Sequence, residues 1–209
     1  MARVSQEHLD ARRRQILDAA ALCFARNGFH ATSMQDVLKE ADLSAGAVYR
    51  YFSGKDELIR AIVSAVMGEI RDAFEEAARQ SPPPDPDVLV ATVLGRTLEA
   101  RGSLAVDGEP AFPRLVVQVW TETVRDKRLA AVLTEGYDAV RAAWTRVVEV
   151  YQERGMMRAD LPADDVARTM IAAVQGFIVQ QSLFGPVPVE VLRNGLRALM
   201  SMGKTSGGS

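Results

Sequence analysis

The stretch LSAGAVYRYFSGK, which ends at Lys55, places hydrogen-bonding and cationic side chains next to residues with almost no side chain. The small residues at 44–47 would let a helix backbone come close to another molecule. Tyr49 and Tyr51 offer hydroxyl groups that can reach phosphates, and the guanidinium of Arg50 can pair with O6 and N7 of guanine. The ammonium of Lys55 can join the free N–H groups of a helix N-terminus around a phosphate. Together these groups favour contact with the bases and the backbone of a nucleic acid.

Helices on both sides must position this stretch, and the sequence predicts where they lie. The first helix is expected from about residue 8 to residue 27, and Gly28 is a natural left-handed stop for it. The spacing of its apolar residues predicts one inward face, made of Ile16, Ala20, Cys23 and Phe24.

A second, short helix is expected to start from a capping box and to end near Ala41. The box can be formed by Thr32 with Gln35 or by Ser33 with Asp36, and the sequence leaves both pairs open. Either choice places the start of the helix within a residue of the same point.

A tight link at residues 42–43 leads to Ser44, which is a good N-cap for the quoted helix. Val48 and Phe52 are four residues apart, so we expect them to face inward while Tyr49 and Arg50 lie on the opposite side. Two short helices joined by a tight turn predict a helix-turn-helix, whose second helix meets base edges with its N-terminal residues.

The segment TSMQDVLKEADLSAGAVYRYFSGKDEL resembles the DNA-binding signature of TetR-type (tetracycline-repressor-like) regulators. The shared pattern is Thr-Ser, a short helix, Ala, a two-residue turn, Ser, then x-Gly-x-aliphatic-Tyr-x-Tyr/His-Phe and x-x-Lys-x-x-Leu. The similarity extends back through RRRQILDAAALCFARNGFHATS and covers about residues 8–60. The resemblance implies that the DNA-contacting roles fall to Ser33, Ser44, Ala45, Gly46, Ala47, Tyr49, Arg50, Tyr51 and Lys55.

This sequence departs from the family pattern at a few positions. Asp42 stands where the family usually has Gly, so we expect an aspartate with a positive φ in the turn. Ala45 and Ala47 lack the polar groups that many relatives use on bases, so direct readout of bases is expected to be sparse. The arginines at 12–14 have two open interpretations, DNA contact or a solvated run of charge.

Beyond this segment the sequence predicts only helices, and SPPPDPD at residues 81–87 is the clearest break. The expected fold class is all-α, with a three-helix helix-turn-helix domain at 1–54, a larger helical effector-binding and dimerisation domain at 55–203, and a disordered tail at 204–209. The Gly-rich segment GSLAVDGEP is expected to be a loop. The later helices are expected at about 55–80, 88–101, 112–125, 127–154, 163–184 and 188–202.

The last two helices carry apolar stripes that a second subunit could cover. In the family that the chain resembles, two such helices from each subunit form a four-helix interface, and Gly176 would permit close approach of the helices. The residues expected at this dimer interface are Val166, Met170, Val174, Phe177, Gln181, Phe184, Leu192, Leu196 and Leu199.

An effector pocket is expected inside the second domain because the family resemblance implies one. Pockets are mostly apolar and carry a few placed polar groups. The residues expected to line it are Met67, Phe74, Phe112, Gln118, Trp120, Trp144, Gln175 and Phe177. Plain core packing is the alternative for each of them taken singly. The aromatic content predicts a largely apolar effector, and the long helix at 55–80 would carry its effect to the DNA.

The scarcity of reactive residues argues against other classes of protein. Cys23 is the only cysteine, and His8 and His30 are the only histidines, which leaves no metal-ligand or nucleophile spacing. We therefore expect no enzyme activity, no metal and no cofactor. The polar N-terminus and the glutamines and prolines within 169–189 favour a cytoplasmic protein without a membrane span.

The function that the resemblance implies is a ligand-responsive transcriptional regulator. As a homodimer it would bind double-stranded palindromic operator DNA, repress transcription and be released by a small apolar effector. An activator, an effector-independent DNA-binding protein of the same fold and a helical partner-binding protein remain as alternatives.

Overall fold

The computed structural model describes residues 6–201. Most of this part of the chain is helical and its two strands have two residues each, which confirms the all-α class. The tail expected at 204–209 lies outside the described residues. The helices are α1 (Gln6–Asn27), α2 (Met34–Ala41), α3 (Ala45–Tyr49), α4 (Lys55–Arg79), α5 (Pro86–Glu99), α6 (Phe112–Thr123), α7 (Lys127–Glu153), α8 (Ala163–Phe184) and α9 (Val189–Ser201). The strands are β1 (Ala105–Val106) and β2 (Glu109–Pro110).

The chain divides into two compact units. The first contains residues up to Met67 together with Arg101–Tyr137, and the second contains Gly68–Ala100 together with the residues from Asp138 onward. Helices α4 and α7 each contribute residues to both units. The domain boundary predicted after residue 54 follows the helix-turn-helix motif and stays a prediction.

The first unit is organised around α1, which packs against α2, α6 and β1. Its inward face is the predicted one, because Ile16, Ala20, Cys23 and Phe24 are all buried. Full burial of a side chain such as Ile16 contributes about 1.5–3 kcal/mol to folding. Burial raises the pKa of the Cys23 thiol to about 11, with nearby Glu40 adding to the effect. Gly28 ends α1 with φ of 81°, as the sequence predicts.

The segment predicted as a Gly-rich loop contains a small β-hairpin instead. β1 and β2 pair antiparallel with Val106 opposite Glu109, and Asp107 and Gly108 form the two-residue turn with φ of 54° and 82°. Asp-Gly between two strands is a strong hairpin signal, since a type I′ turn needs positive φ at both central positions. Val106 and the preceding Leu104 are buried and anchor the hairpin to the first unit, whereas both residues of β2 are exposed.

The second unit is held together by α5 packed against α9, and by a buried stretch of α7. The Trp144 ring lies against Phe74 of α4, with ring centroids 4.2 Å apart. Asp87, buried at the start of α5, pairs with Arg193 and Arg197 of α9 at 3.5 and 2.9 Å. This charged contact fixes α9, one of the two helices predicted to meet a second subunit, against its own subunit.

None of the described helices combines the length and the apolarity that crossing a membrane requires.

Candidate nucleic-acid interface

The start of α2 is fixed by a complete capping box. The Asp36 N–H donates to the Ser33 hydroxyl at 3.2 Å, and the Ser33 N–H donates to the Asp36 carboxylate at 2.8 Å. Of the two pairs that the sequence allowed, Ser33 with Asp36 is therefore the correct one. Thr32 is buried instead, and its hydroxyl donates to the carbonyls of Gly28 and Cys23 at 2.7 and 3.1 Å. The hydrogen bonds from Ser33 hold the pKa of Asp36 below its ordinary value.

The turn between α2 and α3 is left-handed at Asp42, with φ of 52° and ψ of 48°. The Asp42 N–H donates to the carbonyl of Lys39, and the Leu43 N–H donates to that of Leu38. These bonds satisfy the last carbonyls of α2 in the pattern of a Schellman motif. The predicted aspartate with positive φ is confirmed.

The recognition helix α3 is shorter than the quoted stretch suggested. Ser44 is its N-cap, as predicted, and accepts from the Ala47 N–H at 3.3 Å. The helix ends at Tyr49, and the N–H of Tyr51 then donates to the carbonyl of Val48, only three residues earlier, at 2.9 Å. A new cap follows at once, since the backbone N–H and the hydroxyl of Ser53 donate to the Glu57 carboxylate at 2.7 and 2.8 Å.

The two faces of this short helix differ as predicted. Val48 and Phe52 are buried. Six of the nine residues expected to contact DNA are exposed, and Tyr49 leaves 50% of its surface open. The exposed ones are Ser33, Ser44, Ala45, Gly46, Tyr49 and Arg50, and the half-buried ones are Ala47, Tyr51 and Lys55.

Nothing in the described structure requires a glycine at position 46. A Cβ atom added at this position would meet no other atom within 4 Å. Gly46 also shows no left-handed φ, in contrast to Gly28. A glycine in place of alanine in a helix costs roughly 1 kcal/mol of stability. Neither internal packing nor backbone conformation therefore accounts for it.

Lys55 binds carbonyl groups of the segment that follows α1. Its ammonium donates to the carbonyl oxygens of Phe29, His30 and Thr32 at 2.9, 3.2 and 3.1 Å. It also lies 4.8 Å from the centre of the Phe29 ring. The sequence prediction placed this ammonium on a phosphate and did not foresee the carbonyls.

The arginines at 12–14 have three different environments. Arg12 donates to the side chain of Gln15 at 2.9 Å, and the guanidinium of Arg13 lies 5.4 Å from the centre of the Phe52 ring. Arg14 lines an open groove of about 600 Å³ in the first unit, together with Asp18 and residues of the 103–104 segment. Only Arg13 touches the helix-turn-helix directly among the contacts described.

Two polar side chains of α6 face the DNA-binding segment. Gln118, predicted to orient an effector, donates to the carbonyl of Ala25 at 3.4 Å. One turn further on, the buried Glu122 accepts from the imidazole of His30 at 3.0 Å. Sequence reasoning missed Glu122 and His30, although a Gln and a Glu four residues apart on an apolar helix share one face and could have indicated a contact.

The residues predicted to line an effector pocket are divided between the two units. Met67, Phe112, Gln118 and Trp120 belong to the first unit, and Phe74, Trp144, Gln175 and Phe177 belong to the second. Phe112 lies under the guanidinium of Arg101, with 5.1 Å to the ring centre. Trp144 is 1% exposed, and its indole N–H has no hydrogen-bond partner in the described part of the chain.

The residues predicted for a dimer interface fall into three groups. Met170, Phe177 and Leu196 are buried within the subunit itself, so they belong to its core. Phe184 and Leu199 are exposed to 81% and 69%, and Leu183, Val191 and Met200 are further exposed apolar residues of α8 and α9 outside the predicted set. The half-buried members are Val166, Val174, Gln181 and Leu192.

The described residues contain no cluster of His, Cys, Asp or Glu side chains that could hold a metal ion. What the fold does present is a capped helix-turn-helix with an exposed recognition helix. That arrangement defines a helix-turn-helix DNA-binding protein.

Known proteins agree with this assignment. A family model described as "Bacterial regulatory proteins, tetR family" matches residues 16–62, and one described as "BetI-type transcriptional repressor, C-terminal" matches residues 101–201. The transcriptional regulator YfiR of Bacillus subtilis is 28% identical over 183 residues, 87% of this chain and 85% of that protein. UidR of Escherichia coli is 26% identical over 192 residues, 90% of each chain. The structure of Salmonella enterica GusR superposes with a TM-score of 0.71 at 26% identity, over 96% of this chain and 100% of that one.

The chain belongs to the TetR family, and it is a DNA-binding transcriptional regulator.

Proposed function

We propose that the protein binds a palindromic operator as a homodimer, represses transcription there and is released by a small effector. The observation that carries the DNA-binding surface is the exposed start of the recognition helix, where Ser44, Ala45 and Gly46 leave the backbone almost bare. A bare position on an exposed helix is useful where another molecule must come close. The floor of the DNA major groove is such a surface. The match to a repressor-type C-terminal model supports repression as the direction of control.

The exposed and half-buried residues predicted to contact DNA then have roles that suit their chemistry. Arg50 would read guanine with its guanidinium, and Tyr49 and Tyr51 would reach the phosphates on either side of the groove. Ser33 and Ser44 would add hydroxyl groups to the backbone contacts. Ala45 and Ala47 give the small surface that a close approach needs, on either side of Gly46.

A dimer is supported by the apolar side chains that the subunit leaves open on α8 and α9. Phe184 and Leu199 expose most of their surface, and Leu183 and Val191 expose more than half of theirs. A two-fold interface pairs the same patch with itself, so one such surface is sufficient. A two-fold protein presents two recognition helices, and an inverted repeat in the operator matches that symmetry.

The effector site is supported by Trp144. A buried indole N–H usually finds a partner, and leaving a buried donor without one costs about 1–3 kcal/mol. The ring itself packs against Phe74, so its surroundings are apolar. We infer an effector with an apolar body and a hydrogen-bond acceptor, such as a carbonyl or hydroxyl oxygen, placed at Trp144 Nε1.

The DNA-binding proposal is tested by selecting duplexes from a random-sequence pool with the wild-type protein. The recovered sequences should contain an inverted repeat with half-sites about 34–36 Å apart or a multiple of it. Arg50→Ala should lose about 1–3 kcal/mol of preference at one base pair in each half-site. Tyr49→Phe should weaken binding evenly across all sequences. Arg96→Ala, which removes an equal charge from the exposed face of α5, is the matched control and should bind like the wild type. If the recovered duplexes have no sequence in common, the proposal is contradicted.

A further inference from the structure

Gly136 lies in the interior of α7, where a glycine weakens a helix relative to an alanine. It does not have the positive φ that Gly28 has, so the backbone conformation does not require a glycine there. A second reason for a glycine is the close approach of another part of the chain. At Gly68 and Gly95, which also lie inside helices, an added Cβ atom would meet nothing within 4 Å. At Gly136 it would collide with a neighbouring helix.

The neighbour is Met67 of α4. A Cβ atom added to Gly136 would lie 2.8 Å from the Met67 Cβ and 2.7 Å from its Cγ. Carbon atoms in contact normally stay about 3.5–4.0 Å apart. The Met67 Cγ can move by rotation of the side chain, whereas its Cβ is fixed to the backbone of α4. A side chain at position 136 would therefore have to separate the two helices by about 0.7 Å.

This contact lies where both helices leave the first unit. Met67 is the last residue of α4 in that unit, and Tyr137, which follows Gly136, is the last residue of α7 there. Both helices continue into the second unit, which carries the exposed apolar side chains of α8 and α9. At its other end α4 begins at Lys55, beside the recognition motif and about 18 Å from Met67 along the helix axis. The direction of α4 at Met67 thus affects where the recognition motif lies.

We propose that Gly136 is a positioning residue for operator binding, because its bare backbone lets α7 pack directly on Met67 and so sets the direction of α4. This inference rests on the proposed homodimer and palindromic operator. In a dimer joined through α8 and α9, each α4 positions one recognition helix, and the two must match the half-site spacing of the DNA. A tilt of α4 that begins at Met67 grows over the about 18 Å to Lys55 and is repeated in both subunits.

Two duplexes separate a positioning role from damage to the recognition motif. One is the palindrome that the wild-type protein recovers from a random pool, and the other contains a single half-site of it. Binding to the half-site needs one recognition helix, whereas binding to the palindrome needs two at the right spacing. Gly136→Ala should bind the palindrome at least about tenfold more weakly than the wild type and the half-site equally well. Both affinities are measured at a temperature where circular dichroism shows the variant folded.

Gly68→Ala is the matched control, because it makes the same change beside Met67 at a position where the new Cβ meets nothing within 4 Å. Both substitutions improve helix propensity, so Gly68→Ala should bind the two duplexes like the wild type. Met67→Gly combined with Gly136→Ala moves the glycine to the other helix of the contact. This double variant should bind the palindrome within about threefold of the wild type, and more tightly than either single variant, because residues in contact have coupled effects.

The inference fails if Gly136→Ala binds the palindrome like Gly68→Ala. It also fails if Gly136→Ala binds the half-site and the palindrome equally weakly, since the recognition motif itself is then damaged. A double variant that binds no better than Gly136→Ala would show that Met67 is not the partner that matters. If Gly136→Ala does not fold, Met67→Gly and the double variant decide, and equal palindrome affinity in these two overturns the inference.

The operator proposal can fail separately from this inference. A wild-type protein that selects no inverted repeat contradicts the operator proposal, and the positioning role is then lost with it. Selection of an inverted repeat by the wild type, with unchanged binding by Gly136→Ala, contradicts the positioning role alone.

Discussion

The helix-turn-helix provides hydrogen-bond partners for its polar groups, whereas the described part of the second compact unit leaves buried polar groups unpaired and apolar side chains exposed. In the former, Thr32, Ser33 and Lys55 each find hydrogen-bond partners inside the first unit. In the latter, the buried indole N–H of Trp144 and the amide nitrogen of Gln181 have no partner in the described chain, and Phe184 is almost fully exposed. A buried donor without an acceptor and an apolar patch exposed to water both lower the stability of the folded protein.

This difference indicates which part of the molecule would be stabilised by binding other molecules. The helix-turn-helix is complete in one subunit and can meet DNA with a surface that is already formed. The described part of the second unit has an indole N–H without an acceptor and an apolar surface that is exposed to solvent. A ligand and a second subunit would supply these, and each can be removed separately.

The largest effect is expected from a charge on the exposed apolar surface. Phe184→Glu and Leu199→Glu should give folded monomers at micromolar concentration, because a two-fold interface would bury two carboxylates near each other. Loss of the second recognition helix should lower operator affinity at least about 100-fold, as for any binder reduced from two sites to one. Sedimentation and DNA titration measure the two quantities. Asn194→Glu, five residues before Leu199 on a different face of α9, should stay dimeric.

The buried members of the same predicted interface should respond differently. Phe177 and Leu196 are 6% and 7% exposed within the subunit, so a glutamate there destabilises the subunit itself. A loss of helical signal in Phe177→Glu is the expected result. Folded monomers in that variant, with intact dimers in Phe184→Glu, would reverse our assignment of core and interface.

A smaller effect is expected from Trp144→Phe, which keeps an aromatic ring and removes the unpartnered N–H. Effectors with an apolar body and an oxygen acceptor should release operator DNA about fivefold to tenfold less readily, the usual value of one hydrogen bond. Operator affinity without effector should be unchanged. Trp120→Phe is the control, because it removes the other indole. Equal losses in both variants would show that the effector does not meet Trp144 Nε1.

The smallest effect is expected from relieving backbone strain in the turn between α2 and α3. Asp42→Gly should relieve the left-handed backbone of the turn and stabilise the protein by about 0.5–1 kcal/mol, after allowing for the greater freedom of glycine in the unfolded chain. Thermal unfolding should shift upward by about 1–3 °C. Asp107→Gly, at the second left-handed aspartate of the same unit, gives a matched comparison. A lower midpoint in Asp42→Gly would mean that the Asp side chain stabilises the turn.

Residues that act on their immediate neighbours could be predicted from the sequence. Ser44 caps α3 as local chemistry predicts, and Ser33 is one of the two caps that it allowed for α2. The left-handed Asp42 was predicted from the family pattern. The all-α class and the burial of Val48 and Phe52 followed from apolar spacing alone. The hairpin turn at Asp107 was missed although its two-residue signal is local.

Residues whose partners lie far along the chain could not be placed in this way. Lys55 binds carbonyls more than twenty residues earlier, and backbone carbonyls carry no signal in the sequence. Gln118 donates to α1, 93 positions before it. An apolar stripe on α8 likewise shows that a face is covered, but whether its own subunit or a partner covers Phe177 depends on the tertiary fold.

Cys23, on the buried face of α1, can report how often the first unit unfolds transiently. The Cys23 thiol is 2% exposed and has a pKa of about 11, so almost none of it is the reactive thiolate at neutral pH. Oxidants and electrophiles that modify thiolates should therefore react slowly with the native protein. Covalent labelling of Cys23 can occur only while the first unit is transiently unfolded, and its rate therefore measures how often the DNA-binding end opens.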